Sequence, residues 1–152
     1  MVFPLEKVPG LSYKLGGRRF GAKREGGRQH AGCDLIVPLG TPIFSVATGR
    51  VLRGPYAFYH GTFAIEVQHH DYMARYCEIK GCAPGVQVGS VVAEGQLIAY
   101  VGKMFVDSML HFEMYSDSTN TAGLTDKSRP PFMRRRDLVD PAPYLDEWAA
   151  RL

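Results

Sequence analysis

The sequence contains few cysteines, a single tryptophan and no long hydrophobic run. Its three cysteines, Cys33, Cys77 and Cys82, are unevenly spaced along 152 residues. That number is too small for a disulfide framework, so we expect free thiols, with one Cys77–Cys82 bridge as the alternative. No stretch approaches the roughly 18 consecutive apolar residues that a membrane-spanning helix requires, so no membrane span is expected. The start of the chain lacks a basic segment followed by an apolar core, which predicts a protein made in the cytoplasm without a signal peptide.

A strong excess of charge is also absent, because the formal net charge is only +3. The basic lead-in, residues 1–29, is interpreted as a solvated loop, with a rim that attracts an anionic polymer as the alternative. Arg134, Arg135 and Arg136 precede acidic residues and are interpreted as part of a mixed-charge surface. Nucleic-acid binding through these basic residues ranks last among the functions considered, and no nucleic acid is expected as a partner.

Glycine and proline, by contrast, are frequent, with 17 and 10 residues respectively, and they separate short β-prone runs. This spacing predicts a mostly β fold, a compact antiparallel β-sheet arranged as a barrel or sandwich, with a short C-terminal helix over 143–152. We expect a single domain over 1–152, with a core over 30–115 and a C-terminal extension over 116–152. The predicted strands cover residues 34–37, 42–47, 50–53, 62–69, 72–79, 86–88, 96–102 and 108–115.

Two of the five histidines lie in segments that are typical of metal ligation. His30 and Asp34 are four residues apart, and in an extended segment positions 30, 32 and 34 share one face. Gly32 between them leaves space for an ion, whereas Cys33 points with Leu35 toward the core. Taken alone, such a pair is also explained by a local hydrogen bond.

The second segment is the predicted strand over 108–115. Alternation places Met109, His111, Glu113 and Tyr115 on one face, opposite the core face. Two histidines and one carboxylate leave one tetrahedral position for water, which is the catalytic arrangement for zinc. A strand histidine with a purely structural role is the alternative explanation.

In this order, these segments resemble the lysostaphin/LytM-type zinc peptidases, which cut bonds in bacterial peptidoglycan. The resemblance covers roughly residues 16–116. It rests on a His-x-Gly-x-Asp element at 30–34, a glycine turn and hairpin at 38–49, a Val-x-x-Gly-Gln-like segment at 88–99 and a His-Phe-Glu strand at 111–113. The resemblance implies that His30, Asp34 and His111 bind one zinc ion per chain. It also implies a LytM-type antiparallel fold with a groove across the metal.

Two positions depart from the pattern of that family, in which two further histidines orient the water and stabilise the tetrahedral intermediate. Met109 stands in place of one, and Glu78, in the segment that matches Tyr-x-His-Leu, stands in place of the other. Alternation puts Glu78 on the face of Tyr76, and we interpret it as a replacement general base. An exposed strand carboxylate is the alternative. The sequence does not choose among four candidate oxyanion donors, Tyr59, His60, His70 and Tyr115.

The sequence thus favours an antibacterial zinc metallopeptidase that hydrolyses a peptide bond in peptidoglycan. The alternative is a catalytically inactive zinc-binding pseudopeptidase that binds the cell wall or a protein partner. A closed structural zinc site would need His60, His70 or a cysteine as the fourth ligand. Because peptidoglycan lies outside the cytoplasm, we expect phage-type or secretion-system delivery to the cell wall or periplasm, with an immunity or delivery protein as a candidate partner.

Overall fold

The structure is a computed structural model that describes all residues, Met1–Leu152. It contains nine β-strands and one α-helix, with short 3-10 turns at Gly16–Arg18 and Glu25–Gly27. The strands are β1 (Cys33–Ile36), β2 (Pro42–Phe44), β3 (Gly49–Ala57), β4 (Phe63–His69), β5 (Met73–Cys82), β6 (Val91–Val92), β7 (Leu97–Met104), β8 (Asp107–Tyr115) and β9 (Leu138–Val139), and the helix is α1 (Ala142–Ala149). The predicted mostly β fold with a short C-terminal helix is confirmed.

The strands form one curled antiparallel sheet in the order β1-β8-β7-β5-β4-β3-β6, with β2 on β7 and β9 on β8. Strand β8 is shared between two neighbours. Its first half pairs with β7, ending at Gly102 opposite Met109, and its second half pairs with β5, from Cys77 opposite His111 onward. The sheet therefore forks between Met109 and His111, and this fork lies beside the candidate site.

The apolar face of the sheet packs against α1 and against the lead-in. Trp148 of α1 meets Phe112 of β8 edge-on, with ring centroids 6.2 Å apart. Phe3 and Leu5 of the lead-in belong to the same buried cluster. The prediction of a solvated loop over residues 1–29 is thus wrong for its first part, because these apolar side chains remove surface from water by covering the core.

One predicted strand is absent from the structure, and one strand of the structure was not predicted. No strand forms over 86–88, because the amides of Val86 and Ser90 close turns onto the carbonyls of Ala83 and Gln87. The strand follows at Val91–Val92, and the two-residue strand β9 was not predicted. Segments this short carry no alternation from which to recognise a strand.

All three cysteines are free thiols. Cys77 and Cys82 both lie in β5, five positions apart, and an extended strand separates their Cα atoms by about 16 Å. A disulfide requires a separation below about 7 Å, so the alternative of a Cys77–Cys82 bridge is wrong. The structure also contains no helix with the length and apolar surface needed to cross a bilayer.

Candidate active site

Three side chains with metal-binding atoms converge where β1 meets β8. The antiparallel register places Asp34 directly opposite His111, and His30 lies just before β1. His30 Nε2 is 3.0 Å from Asp34 Oδ1 and 3.1 Å from His111 Nδ1, and His111 Nδ1 is 2.8 Å from Asp34 Oδ1. The structure therefore brings together the three residues that the sequence pattern singles out, His30, Asp34 and His111, and their ligand atoms point at one another.

The remaining ring nitrogen of each histidine is held by a partner outside the cluster. His30 Nδ1 donates to the backbone carbonyl of Arg19 at 2.8 Å, and His111 Nε2 donates to Glu113 Oε2 at 2.8 Å. Carboxylates and backbone carbonyls orient metal-binding histidines in this way, because they fix the tautomer that leaves the other nitrogen free for the ion. The two imidazoles are thus oriented as ligands of a cation.

Glu113 carries a buried charge network that the sequence analysis missed. The fully buried carboxylate accepts hydrogen bonds from Arg75 Nη2 at 2.9 Å and Arg134 Nη2 at 3.2 Å, and also from the hydroxyl of Tyr115. Alternation did place Glu113 on the face of His111, but its partners come from β5 and from the C-terminal extension. They neutralise the carboxylate, which in turn holds His111.

This network corrects the interpretation of the arginine run as surface. Arg134 and Arg135 are only 6% and 7% exposed, and Arg135 donates to Asp137 Oδ1 at 2.6 Å. Buried guanidinium groups require such paired carboxylates. Only Arg136 of the three is exposed. Arg134 supports the site through Glu113, whereas Arg135 holds the C-terminal extension together.

The electrostatics of the cluster favour a positive charge between Asp34 and His111. Burial acts to raise the pKa of Asp34, but hydrogen bonds from His111 and His30 lower it to about 2. Burial acts to lower the pKa of His111, but hydrogen bonds to Asp34 and Glu113 raise it to about 10. A metal ion would be stabilised here in the same way as the proton, because both are cations that compete for the Nδ1 nitrogen of His111.

Gly32 has a different role from the one predicted. A Cβ atom at this position would lie 2.3 Å from the carbonyl oxygen of Phe112, which no side chain can accommodate. The glycine therefore leaves space for the backbone of β8 rather than for an ion. Its absence of a side chain allows the segment before β1 to approach His111. Cys33 is fully buried in the core, as predicted.

A bulge in β5 brings Glu78 to the site. The pairing of β5 with β4 jumps from Cys77 opposite Ala64 to Ile79 opposite Phe63, and Glu78 has a positive φ of 62°. Simple alternation is wrong here, because Tyr76 lies in the apolar core. The extra residue of the bulge rotates Glu78 away from that core face, so its carboxylate interacts with the charges of His111 and Asp34.

The surroundings of Glu78 differ from those of an exposed strand carboxylate. Its side chain is 6% exposed, and its Oε2 atom has no hydrogen-bond partner. Burial raises the pKa of Glu78 to about 7, with the charge of His111 opposing and that of Asp34 adding to the rise. Gly102 on β7 packs against the bulge so closely that a Cβ there would lie 2.7 Å from the Glu78 carbonyl oxygen.

The structure narrows the candidate oxyanion donors. The Tyr115 hydroxyl is buried and donates to Glu113, and His70 is an exposed turn residue paired with Asp71 at the far end of β4. Tyr59 and His60 remain, in the loop after β3, where the neighbouring Phe58 ring is centred 6.2 Å from the His111 ring. Met109 is buried opposite Gly102 and Ile36 and has no donor to offer.

Comparisons with known proteins match this arrangement. The sequence profile of peptidase family M23 matches residues 28–122, which include the three clustered residues and Glu78. The chain belongs to peptidase family M23. Its relatives include proteins named as peptidoglycan endopeptidases, and a zinc-containing peptidase is among the solved structures that share its fold.

Individual M23 relatives are distant. The chain is 28% identical over 116 residues to an uncharacterised metalloprotease of Buchnera aphidicola, covering 74% of this chain and 30% of that protein. It is 31% identical over 90 residues to the peptidoglycan DD-endopeptidase ShyB of Vibrio cholerae, covering 56% of this chain and 20% of that protein. The chain thus spans less than a third of the length of these two relatives.

Solved structures share the fold. The catalytic domain of the antimicrobial peptidase lysostaphin from Staphylococcus simulans superposes with a TM-score of 0.64 at 24% identity, covering 86% of this chain and 90% of that one. A zinc-containing peptidase from Vibrio cholerae superposes with a TM-score of 0.61 at 24% identity, covering 76% of this chain and 36% of that one. The antiparallel sheet of this chain is therefore the lysostaphin-like fold of its family.

Proposed function

We propose that this M23 protein is a zinc metallopeptidase that hydrolyses a peptide bond in bacterial peptidoglycan. The observation that carries the proposal is the convergence of His30 Nε2, Asp34 Oδ1 and His111 Nδ1 within 3.1 Å of one another. Their outer partners hold both imidazoles in the orientation of ligands. The family supports the reaction class, and the name of the ShyB relative supports peptidoglycan as the substrate.

The donor set fits one zinc ion per chain. Two neutral imidazoles and one carboxylate are a three-ligand set that leaves a position open, and an ion held this way lowers the pKa of water and polarises a carbonyl group. His60 and His70 are not part of the cluster, and Cys77 groups with His111 and Glu113 rather than with His30 and Asp34. These placements favour an open catalytic site over a closed structural one.

Glu78 is the general base in this proposal. Its buried Oε2 atom has no hydrogen-bond partner, and a pKa of about 7 suits a group that accepts a proton at neutral pH. The carboxylate takes a proton from the attacking water and returns it to the leaving amine nitrogen as the peptide C–N bond breaks. The loop with Tyr59 and His60 supplies the donor to the oxyanion.

A second candidate function is a zinc-binding pseudopeptidase that binds cell wall or a protein partner. The observation in its favour is the buried Met109, whose thioether donates no hydrogen bond where the resemblance leads us to expect a histidine. In either function the protein would act at the cell wall. Delivery by a phage-type or secretion-system route, an antibacterial role, and an immunity or delivery partner remain predictions.

The experiment combines metal analysis with digestion of purified peptidoglycan. Wild type, His30→Ala and the matched control His70→Ala are loaded with zinc, dialysed and assayed for bound zinc and for released peptide ends. His70 is exposed and distant from the cluster, so its variant controls for loss of an imidazole. We expect one zinc per chain and release of new peptide ends for wild type and the control, and neither for His30→Ala.

The outcomes separate the two functions. One zinc per chain without any release of peptide ends would contradict the peptidase and support the pseudopeptidase. Zinc binding that survives in His30→Ala would show that the metal centre lies elsewhere. Release by wild type that persists after chelation and in His30→Ala would contradict the proposed role of the cluster.

A further inference from the structure

A cationic pocket lies beside the candidate metal centre. The cavity has a volume of about 360 Å³ and is lined by Arg28, Tyr59, Thr125, Lys127, Met133 and Arg134. Three of these six residues carry a positive charge and none carries a negative one. A concave site that combines several fixed cations with polar donors is suited to bind an anionic group.

Three residues of the pocket are connected to the site. Arg28 lies two residues before His30 in the chain. Tyr59 follows Phe58, whose ring faces His111. Arg134 donates to Glu113, the same carboxylate that holds His111. A substrate group that binds in this pocket would therefore lie close, along the peptide, to the scissile bond at the His30–Asp34–His111 cluster.

Several donors around the pocket have no partner. The buried Nε of Arg28 makes no hydrogen bond, while its Nη2 donates to the Tyr59 hydroxyl oxygen at 3.1 Å. Because that oxygen is the acceptor, the hydroxyl proton of Tyr59 remains free to donate. Lys127 is exposed and takes part in no hydrogen bond or ion pair of the structure. The exposed ammonium group of Lys127 and the hydroxyl of Tyr59 are therefore donors that a ligand in the pocket can reach.

The local charge is not balanced by neighbouring acids. Glu113 is the buried carboxylate next to the pocket, and it already faces both Arg75 and Arg134. The carboxylate of Asp126 accepts hydrogen bonds from Ser128 and forms an ion pair with Arg129. Arg28 and Lys127 therefore keep their charge available. Burial acts to raise the pKa of Tyr59, but the hydrogen bond from Arg28 and the charge of Arg134 lower it, which is consistent with an excess of positive charge.

We propose that this pocket binds a carboxylate group of the peptide substrate, so that the protein prefers peptides with a free carboxylate next to the scissile bond. The proposal rests on the peptidase function proposed above. A carboxylate fits better than a phosphate because the candidate substrate is a peptide. Guanidinium groups also pair with planar carboxylates through two parallel hydrogen bonds. The carboxylate belongs either to the C-terminus of the peptide or to an acidic side chain.

The test uses zinc-loaded protein and pairs of muropeptides that differ only in one carboxylate or carboxamide. One pair varies the terminal group and the other varies the side-chain group, so the two sources are distinguished. We expect kcat/KM to favour one carboxylate form by about tenfold to a hundredfold, the range expected for charge-assisted hydrogen bonds. Arg28→Gln and Lys127→Gln should each reduce this preference severalfold. Arg50→Gln, at the opposite end of β3 from Tyr59, should leave the preference unchanged.

A binding measurement keeps the inference separate from the peptidase proposal. Calorimetric titration with the same peptide pairs, and with inorganic phosphate, reports occupancy of the pocket without turnover. Selective binding of the carboxylate form without cleavage would support the proposed pocket and contradict only the peptidase proposal. Equal kcat/KM and equal affinity within both pairs would overturn the inference while leaving a peptidase intact. Phosphate binding tighter than either carboxylate form would also overturn it.

Discussion

Substitution of Glu78 by glutamine is expected to make the metal-free protein more stable and the enzyme less active. Burial raises the pKa of Glu78 from 4.5 to about 7, so the folded protein holds this proton more tightly than the unfolded chain does. The contribution of Glu78 to stability is therefore greatest below pH 4.5 and is lost as the pH rises to 7. A tenfold change in proton affinity corresponds to about 1.4 kcal/mol, which gives a loss of about 3 kcal/mol between pH 4 and pH 8.

The measurement is the free energy of unfolding of chelated wild type and Glu78→Gln at several pH values between 4 and 8. All other groups titrate in both proteins, so the difference between the two curves isolates Glu78. We expect Glu78→Gln to gain about 3 kcal/mol relative to wild type over this range, or roughly 6–12 °C in Tm for a chain of this size. Glu147→Gln is the matched control, because Glu147 forms only an exposed pair with Arg151, and such pairs contribute little.

The same variant tests the general base. Glutamine accepts no proton, so the peptidase activity of zinc-loaded Glu78→Gln should fall by a factor of about 100 to 10,000. Parallel stability curves for wild type and Glu78→Gln would refute the argument that burial of the ionised Glu78 carboxylate lowers the stability of the folded protein. Full activity of Glu78→Gln would refute its role as base while leaving the proposed metal ligands in place.

Three further changes test other parts of the site. Removal of zinc by a chelator should lower Tm, since zinc at a hundred times its Kd stabilises the folded state by about 2.7 kcal/mol. An Asp34→Asn protein should lose this difference, and equal Tm values with and without zinc in wild type would contradict binding by the folded cluster. Gly102→Ala should lower the free energy of unfolding by about 1–3 kcal/mol and also lower kcat/KM, because the new Cβ would displace the backbone of Glu78. Gly123→Ala is the control, since a Cβ there would have nothing within 4 Å. Denaturant titration and the peptide assay should both find the control unchanged. Met109→His introduces a donor beside the site, but the proposal already assigns the oxyanion donor to the loop with Tyr59 and His60, so kcat and KM should stay unchanged. A rise in kcat in the steady-state assay toward the roughly 100-fold that an oxyanion donor contributes would show that this loop does not supply the donor.

Local sequence patterns predicted the scaffold of the site. Alternation along β8 separated the core residue Phe112 from His111, and the glycine- and proline-rich turns indicated an antiparallel sheet. His30 and Asp34 offer two metal-binding side chains within five residues, so one further residue from a neighbouring strand was enough to complete the cluster. Such features depend on neighbouring residues and on the period of a strand, so they are readable without the fold.

The tertiary structure decided the environments of Glu78 and Glu113. The bulge that turns Glu78 toward His111 depends on Gly102, which lies far along the chain on β7 and has no side chain to block it. The buried charge of Glu113 depends on Arg75 and Arg134, which approach from β5 and from the C-terminal extension. The sequence by itself determined which residues could act as ligands, whereas burial, partners and backbone direction at the site were set by contacts between distant segments. Strand periodicity is a local property, but the environment of a buried charge is made by every segment that packs around it.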